Sequence, residues 1–326
     1  MHVSSDSRGL LPQQDAGDSF GSAREQAGTP LPLQEEVAQR VQAVLSCTPA
    51  GPSQEEAQRV LEAAQQQHDD GRLESAIQKL MRWFELREEL WADAAPEVQE
   101  LLDTMLSFGC WLCVEASTWH LRGRRVARAF HYTRLCQRWL GLRSKAGRDE
   151  EELWLRLRYD CFLNAAELAQ VSEDQLKALQ ALKECERVQK AMQAPPDPEA
   201  VYICLAEVLL QLGHMEEAAD AALLAEKYLR SQIAGTSTRK AYSLLVALSL
   251  EQAAYSEQLA SSMGPLPSRA LECFNEAESA WNAGGMQASN DHPGARAAVI
   301  LLDEMRQVQD ELAAHVKQRS LTLPAL

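Results

Sequence analysis

Apolar residues recur at three-to-four spacing through most of this chain, and runs of strict alternation are absent, so the pattern predicts helices rather than strands. Leu33, Val37, Val41 and Val44/Leu45 mark one amphipathic helix over about 33–46, closed by Thr48 to Pro52. Ser53 is expected to cap a second helix, with Glu56 completing a capping box, and the periodicity runs to about His68. Asp69-Asp70-Gly71 then makes a turn, and a third helix is expected over about 73–90.

Further along, helices are predicted in pairs over about 97–121 with 124–142 and 151–170 with 173–193, turning at Arg122-Gly123 and Val171-Ser172. A pair starting at Glu199 turns at Gly213. Another, 238–262 with 268–283, is separated by Gly264-Pro265-Leu266-Pro267. A last helix over about 293–318 carries Val299, Leu302, Met305, Val308 and Leu312 as its expected buried stripe and is read as a C-terminal cap. Residues 1–32 hold few large apolar side chains and are expected to form a disordered tail, as are 319–326 at the other end.

Two segments carry a tighter pattern. Ala64 stands seven residues before Gly71 and Ala76 five after it, so small side chains flank a glycine able to adopt positive φ. Counting Ala57 as the first of thirty-four positions, Ala63/Ala64, Gly71, Leu73, Ala76, Ile77 and Leu80 resemble the small and large sites of the tetratricopeptide (TPR) repeat, with Trp83 departing at the last small site. Starting at Glu199, the residues Tyr202, Leu205, Ala206, Leu209, Gly213, Met215, Glu217, Ala218 and Ala225 repeat that register, and Pro196 falls where a preceding repeat would end. The resemblance implies an all-α, right-handed superhelix of TPR-like antiparallel helix pairs over 33–318, whose work is to hold other proteins.

Composition agrees with a helical class, at 46% hydrophobic and 6% aromatic residues. A net charge of −15 argues against a general nucleic-acid or anionic-membrane binder. No apolar run is long enough for a membrane span, and the N-terminus lacks a secretory pattern, so an intracellular protein of cytoplasm or nucleus is expected. Cys110 and Cys113 have redox or zinc spacing, but they lie inside a helical run and are read as core residues. The histidines form no metal-binding spacing, and no phosphate loop or nucleophile motif is visible, so no metal, cofactor, catalytic residue or small-molecule substrate is expected.

One segment reverses the overall charge. Between Glu115 and Asp149 there is no acidic residue, whereas Arg122, Arg124, Arg125, Arg128, Arg134, Arg138, Arg143, Lys145 and Arg148 are interleaved with Trp119, Phe130, Tyr132 and Trp139. Projected on a helix, Val126, Ala129, Thr133, Cys136 and Leu140 form one stripe and Arg124, Arg128, Arg134 and Arg138 lie opposite. A solvated outer face is the plain reading. The functional reading is a docking site for an acidic or phosphorylated peptide, because arginines at four-residue spacing can grip carboxylates or phosphates, and local contact with nucleic acid is the remaining alternative.

Inner-groove partner contacts are expected at Gln65 and His68 in one pair and at Ile203 and Glu207 in the other. These residues are not the Lys and Asn clamp that some TPR domains use for chaperone tails, so that partner is not expected. Trp119-His120, Arg122, Ala127, Phe130, Arg134, Ala165-Ala166-Glu167, Ala178 and Leu182 resemble the meiotic crossover scaffold family often called Zip-four-like, which implies a nuclear scaffold for chromosome-axis and recombination proteins. A cytosolic vesicle-fusion attachment-type adaptor and an accessory subunit of an enzyme are the alternative scaffold readings.

Overall fold

The computed structural model describes residues 32–49, 52–85, 96–144, 151–193, 195–232, 238–261, 268–283 and 293–322. Among these residues the fold is all-α, with twelve helices and no strand. In chain order they are α1 (Leu33–Leu45), α2 (Pro52–Asp69), α3 (Leu73–Glu85), α4 (Pro96–Arg122), α5 (Val126–Ser144), α6 (Glu152–Val171), α7 (Gln175–Ala191), α8 (Pro198–Gln211), α9 (Met215–Gln232), α10 (Thr238–Ser261), α11 (Ser268–Ala283) and α12 (Pro293–Thr322). None is long and apolar enough to cross a membrane.

Most boundaries fall within a few residues of those the periodicity predicts. One start differs: α2 begins at Pro52, so Ser53 lies inside its first turn instead of capping it. Proline is suited to that place, because its fixed φ is helical and the amide hydrogen it lacks would be unpaired there anyway. The stretch 86–90, expected to prolong α3, lies outside the described residues, as do the tail 1–31, the turn 264–267 and residues 323–326. At the other end α12 continues to Thr322, four residues past its expected stop.

The helices gather into two compact units, the first comprising Met1–Val171 with Ala191–Ala194 and the second Ser172–Lys190 with Pro195–Leu326. In the first, α2 pairs with α3 and α4 with α5, while α1 packs on α4 and α6 packs against both α4 and α5. Leu61, Ile77, Leu80, Leu101, Leu102, Met105, Leu106, Leu112, Leu153 and Leu157 are fully buried in it. Each such side chain contributes about 1.5–3 kcal/mol by leaving water. The Gln58 amide on α2 donates to the Val44 and Cys47 carbonyls at 2.9 and 3.0 Å, closing the C-terminal end of α1.

Four turns share one backbone solution. Gly71 (φ 73), Arg124 (φ 54), Glu173 (φ 58) and Gly213 (φ 80) hold the left-handed position. At Gly71, Arg124 and Gly213 that residue's N–H reaches back three residues and the next N–H reaches back five, as in Gly213 to Leu210 (3.0 Å) and His214 to Leu209 (2.9 Å). This is the Schellman closure, which satisfies carbonyls that a helix end leaves open.

Seven residues before each turn stand Ala64, Ser117, Ala166 and Ala206, and five after stand Ala76, Ala129, Ala178 and Ala218; every one is buried. In the α2–α3, α4–α5 and α8–α9 pairs, small side chains at both places let the two backbones of the hairpin approach closely. The sequence pattern found this grammar at Gly71 and Gly213 and missed it at Arg124 and Glu173, because glycine was the marker and at neither turn does a glycine hold the positive-φ position, Gly123 standing one residue before Arg124. Twelve residues on, Trp83, Cys136, Cys185 and Ala225 are also buried. Trp83 is accommodated there by an edge-on contact with Phe84, ring centroids 5.6 Å apart, and Phe84 in turn meets Trp139 at 5.0 Å.

In the second unit α8 pairs with α9, α10 packs across both, α11 packs on α10, and α12 lies against α10 and α11. The buried stripe of α12 is Ala298, Leu301, Met305 and Leu312, with Val308 partly buried. Val299, assigned to that stripe from the sequence, is instead 41% exposed. The spacing 299, 302, 305 steps by three each time and drifts around the helix, whereas 298, 301, 305, 308, 312 alternates three and four and holds one face.

Candidate functional site

The basic segment occupies the end of α4, the turn and α5. Its expected stripe forms the inner face, with Ala129, Thr133, Cys136 and Leu140 buried and Val126 packed beside Leu121, Ala129 and Leu168. On the outside, Arg122, Arg124, Arg125, Arg128, Arg134 and Arg138 are all exposed. The four arginines assigned to one helical face do not share it, however. Arg124 sits in the turn, ahead of α5, and Arg128 leans away to α3, where its Nη1 lies 3.1 Å from Glu74 Oε1. Arg138 lines a small surface hollow with Phe84, Leu135 and Trp139.

Arg143, counted with the cations of this face, is an interior residue. Only 4% of its side chain is exposed, and it bridges Asp103 and Glu151 at 2.9 Å each while its guanidinium lies 4.2 Å over the Trp154 ring. Burial pulls its pKa below the usual arginine value, and the two carboxylates oppose that pull. Arg40 also pairs with Glu151, and Arg156 meets Glu36 at 3.2 Å, so α1, α4, α5 and α6 are joined by one charge network. Lys145 and Arg148 lie outside the described residues.

With those removed, and with Arg122 interacting electrostatically with Glu167, the exposed core of the face is Arg124, Arg125 and Arg134, none of which has a carboxylate partner among the described residues. Two aromatic rings stand among them. Trp119 is 53% exposed and Phe130 55%, and the Arg125 guanidinium lies 4.8 Å from the Trp119 ring centre. That stacking holds Arg125 against the protein surface and leaves its hydrogen-bonding edges available. The arrangement can hold an anion beside an apolar group. Among the described residues, no group of three His, Cys, Asp or Glu is placed to bind a metal ion.

One residue beneath the face escaped the sequence reading. His120 is fully buried, its ring parallel to Tyr132 at 5.5 Å, and its Nε2 lies 3.0 Å from the same Glu74 oxygen that Arg128 reaches. This bridge ties α3 to the α4–α5 hairpin and fixes the floor under Trp119. No local spacing could announce it, because Glu74 is 46 residues from His120.

The inner-groove contacts fare differently. Ile203 is buried and offers no surface to a partner. Helix α8 is covered almost all round, with Val201, Tyr202, Leu205, Ala206, Val208 and Leu209 also buried, so its expected open face does not exist. Gln65 and Glu207 are half-buried, and burial raises the Glu207 carboxyl above its ordinary range. The Cys110 and Cys113 thiols are fully buried within α4, where desolvation pushes both upward, so neither has the exposed thiolate a redox site requires.

His68, also half-buried, meets Trp111 edge-on at 5.0 Å and faces Glu115 at 3.6 Å and Asp69 at 3.3 Å. Glu115, foremost, and Asp69 raise its pKa against the lowering effect of burial. A raised histidine contributes stability that is complete below the unfolded value of about 6.5 and is lost as pH rises through the folded value. Hydrogen exchange of α2 amides is therefore expected to quicken, beyond its intrinsic pH dependence, between pH 6 and 8. His68→Gln should remove that excess, by under ~1 kcal/mol because the site is partly solvated. An unchanged profile would refute the assignment.

Comparison with protein-family models, curated proteins and solved structures finds no match to this chain.

Proposed function

We propose that this chain is a non-enzymatic scaffold of TPR-like helix pairs that docks an acidic or phosphorylated segment of another protein on the α4–α5 hairpin. The observation that carries the proposal is the exposed set Arg124, Arg125 and Arg134, without carboxylate partners among the described residues and interleaved with solvent-facing Trp119 and Phe130. A merely solvated helix face has no need of two large rings in water, and a chain of net charge −15 gains specificity by concentrating cations in one place. The TPR-like reading rests on the shared turn geometry at residues 71, 124, 173 and 213 with buried small side chains seven before and five after. A superhelix stacked in that register would repeat the hairpin as a unit.

The test is affinity purification of the tagged chain beside an Arg124→Glu/Arg134→Glu variant. Both positions are exposed, so the variant should keep the far-ultraviolet circular dichroism of the parent. Acidic partners captured by the parent are expected to fall roughly tenfold in yield with the variant. An unchanged set of partners at unchanged yield would overturn the docking proposal.

A further inference from the structure

Building on the docking reading above, we infer that the face receives an amphipathic helix of a partner protein, with an apolar side chain on Trp119 and Phe130 and carboxylates at three-to-four spacing on the arginines. Register supplies the first argument. Trp119 lies five residues before the positive-φ residue of its hairpin and Phe130 six after. In the α8–α9 hairpin the same two places are Val208 and Ala219, at 0% and 3% exposure, and α10 packs across both helices. In the α2–α3 hairpin the second place is Ile77, 1% exposed, and α4 packs across that pair. The second place is buried in both of these hairpins and the first is buried in the α8–α9 hairpin, whereas the first place of the α2–α3 hairpin, Gln66, is exposed.

At the α4–α5 hairpin the covering helix is displaced from both places. Helix α6 packs against both members, but its Leu168 sits with Leu121, Val126 and Ala129, leaving Trp119 and Phe130 more than half exposed. Spacing supplies the second argument. Phe130, Arg134 and Arg138 follow at four-residue intervals on α5, about 6 Å apart along the axis, which is the interval a second helix presents with its own residues four apart. Charge supplies the third, since Arg124, Arg125 and Arg134 call for carboxylates that the described residues do not provide. Apolar anchor and acids together describe one amphipathic helix.

The experiment is selection of a phage-displayed library of helical peptides against the full chain, followed by fluorescence anisotropy with labelled winners. Enriched peptides are expected to combine Asp or Glu at three-to-four spacing with one Leu, Phe or Trp. Phe130→Ser and Arg124→Glu/Arg134→Glu should each weaken their binding roughly tenfold or more, with helical content unchanged. If the arginine variant loses binding and Phe130→Ser does not, anion docking stands and the amphipathic helix is refuted. If neither variant changes binding, both readings fall. Failure to enrich any peptide, enrichment without acidic residues, or tighter binding of oligothymidylate than of every peptide would each overturn the inference.

Discussion

Replacing Arg269 by alanine is expected to destabilise the second unit by about 3–5 kcal/mol, the cost of leaving a buried carboxylate without its cation. Arg269 stands near the start of α11 and reaches three helices at once. Its Nε and Nη2 lie 2.7 and 3.1 Å from the two oxygens of Glu251, its Nη2 lies 2.8 Å from Glu226, and its Nη1 lies 2.5 Å from Glu276. Glu251 has no exposed surface and Glu226 is 9% exposed, so water cannot replace the guanidinium. Arg230 also binds Glu226 and Glu276, which leaves three carboxylates against two cations even in the intact protein.

The excess of negative charge gives the prediction a pH signature. Burial already raises the Glu251 carboxyl above its ordinary range, against the pull of Arg269. A carboxylate whose folded pKa is raised binds its proton more tightly in the native state, so its unfavourable contribution grows as pH rises and disappears as pH falls toward the unfolded value near 4.3. Loss of Arg269 should raise it further, and the variant should regain stability as pH is lowered from 7 toward 5. Hydrogen exchange of amides in α9, α10 and α11 reads this locally, without treating a two-unit chain as two-state. The Arg269→Met/Glu251→Met pair should recover much of the loss, because the fully buried carboxylate leaves together with its cation while Glu226 and Glu276 keep Arg230. A stable, pH-indifferent Arg269→Ala protein would show that the cluster is decorative.

That cluster also marks the limit of what the linear pattern could reveal. Helices were legible because burial on one side imposes three-to-four spacing, and the hairpins at Gly71 and Gly213 because only certain residues tolerate positive φ and close approach. At Arg124 and Glu173 the left-handed position is held by side chains that give no such signal, and at Arg124 the reciprocal hydrogen bonds of the helix end offset the cost of that conformation. The ion networks of Arg143 and Arg269 join residues far apart in sequence, and nothing local separates Arg143, buried over Trp154, from exposed Arg134 nine positions earlier. The candidate face was therefore visible as a run of cations and only the fold could sort its members. Ile203 failed for the converse reason: its position in the repeat register implies an open face, but burial on α8 is set by what surrounds that helix.

Lengthening the alanine five residues past a turn should be the most damaging single apolar change in either hairpin. Ala129 and Ala218 have no exposed surface, and the Ala129 carbonyl accepts the hydroxyl of Ser117 on the partner helix at 3.2 Å. A leucine there must push the two backbones apart or force neighbouring rotamers, at a cost of about 1–3 kcal/mol or more. Ala218 lies in a hairpin of two short, well-buried helices, where separation would also loosen the contact of α10 with α8 and α9. Ala127, on the exposed side of α5 only two residues from Ala129, supplies the control, and Ala127→Leu should stay within about 0.5 kcal/mol of the parent. Urea unfolding followed by tryptophan fluorescence suits Ala129→Leu, because five of the six described tryptophans belong to the first unit. Exchange protection of α8 and α9 suits Ala218→Leu. If both variants unfold at the parental midpoint, the small residues are incidental, and the shared register of the four turns loses its physical basis.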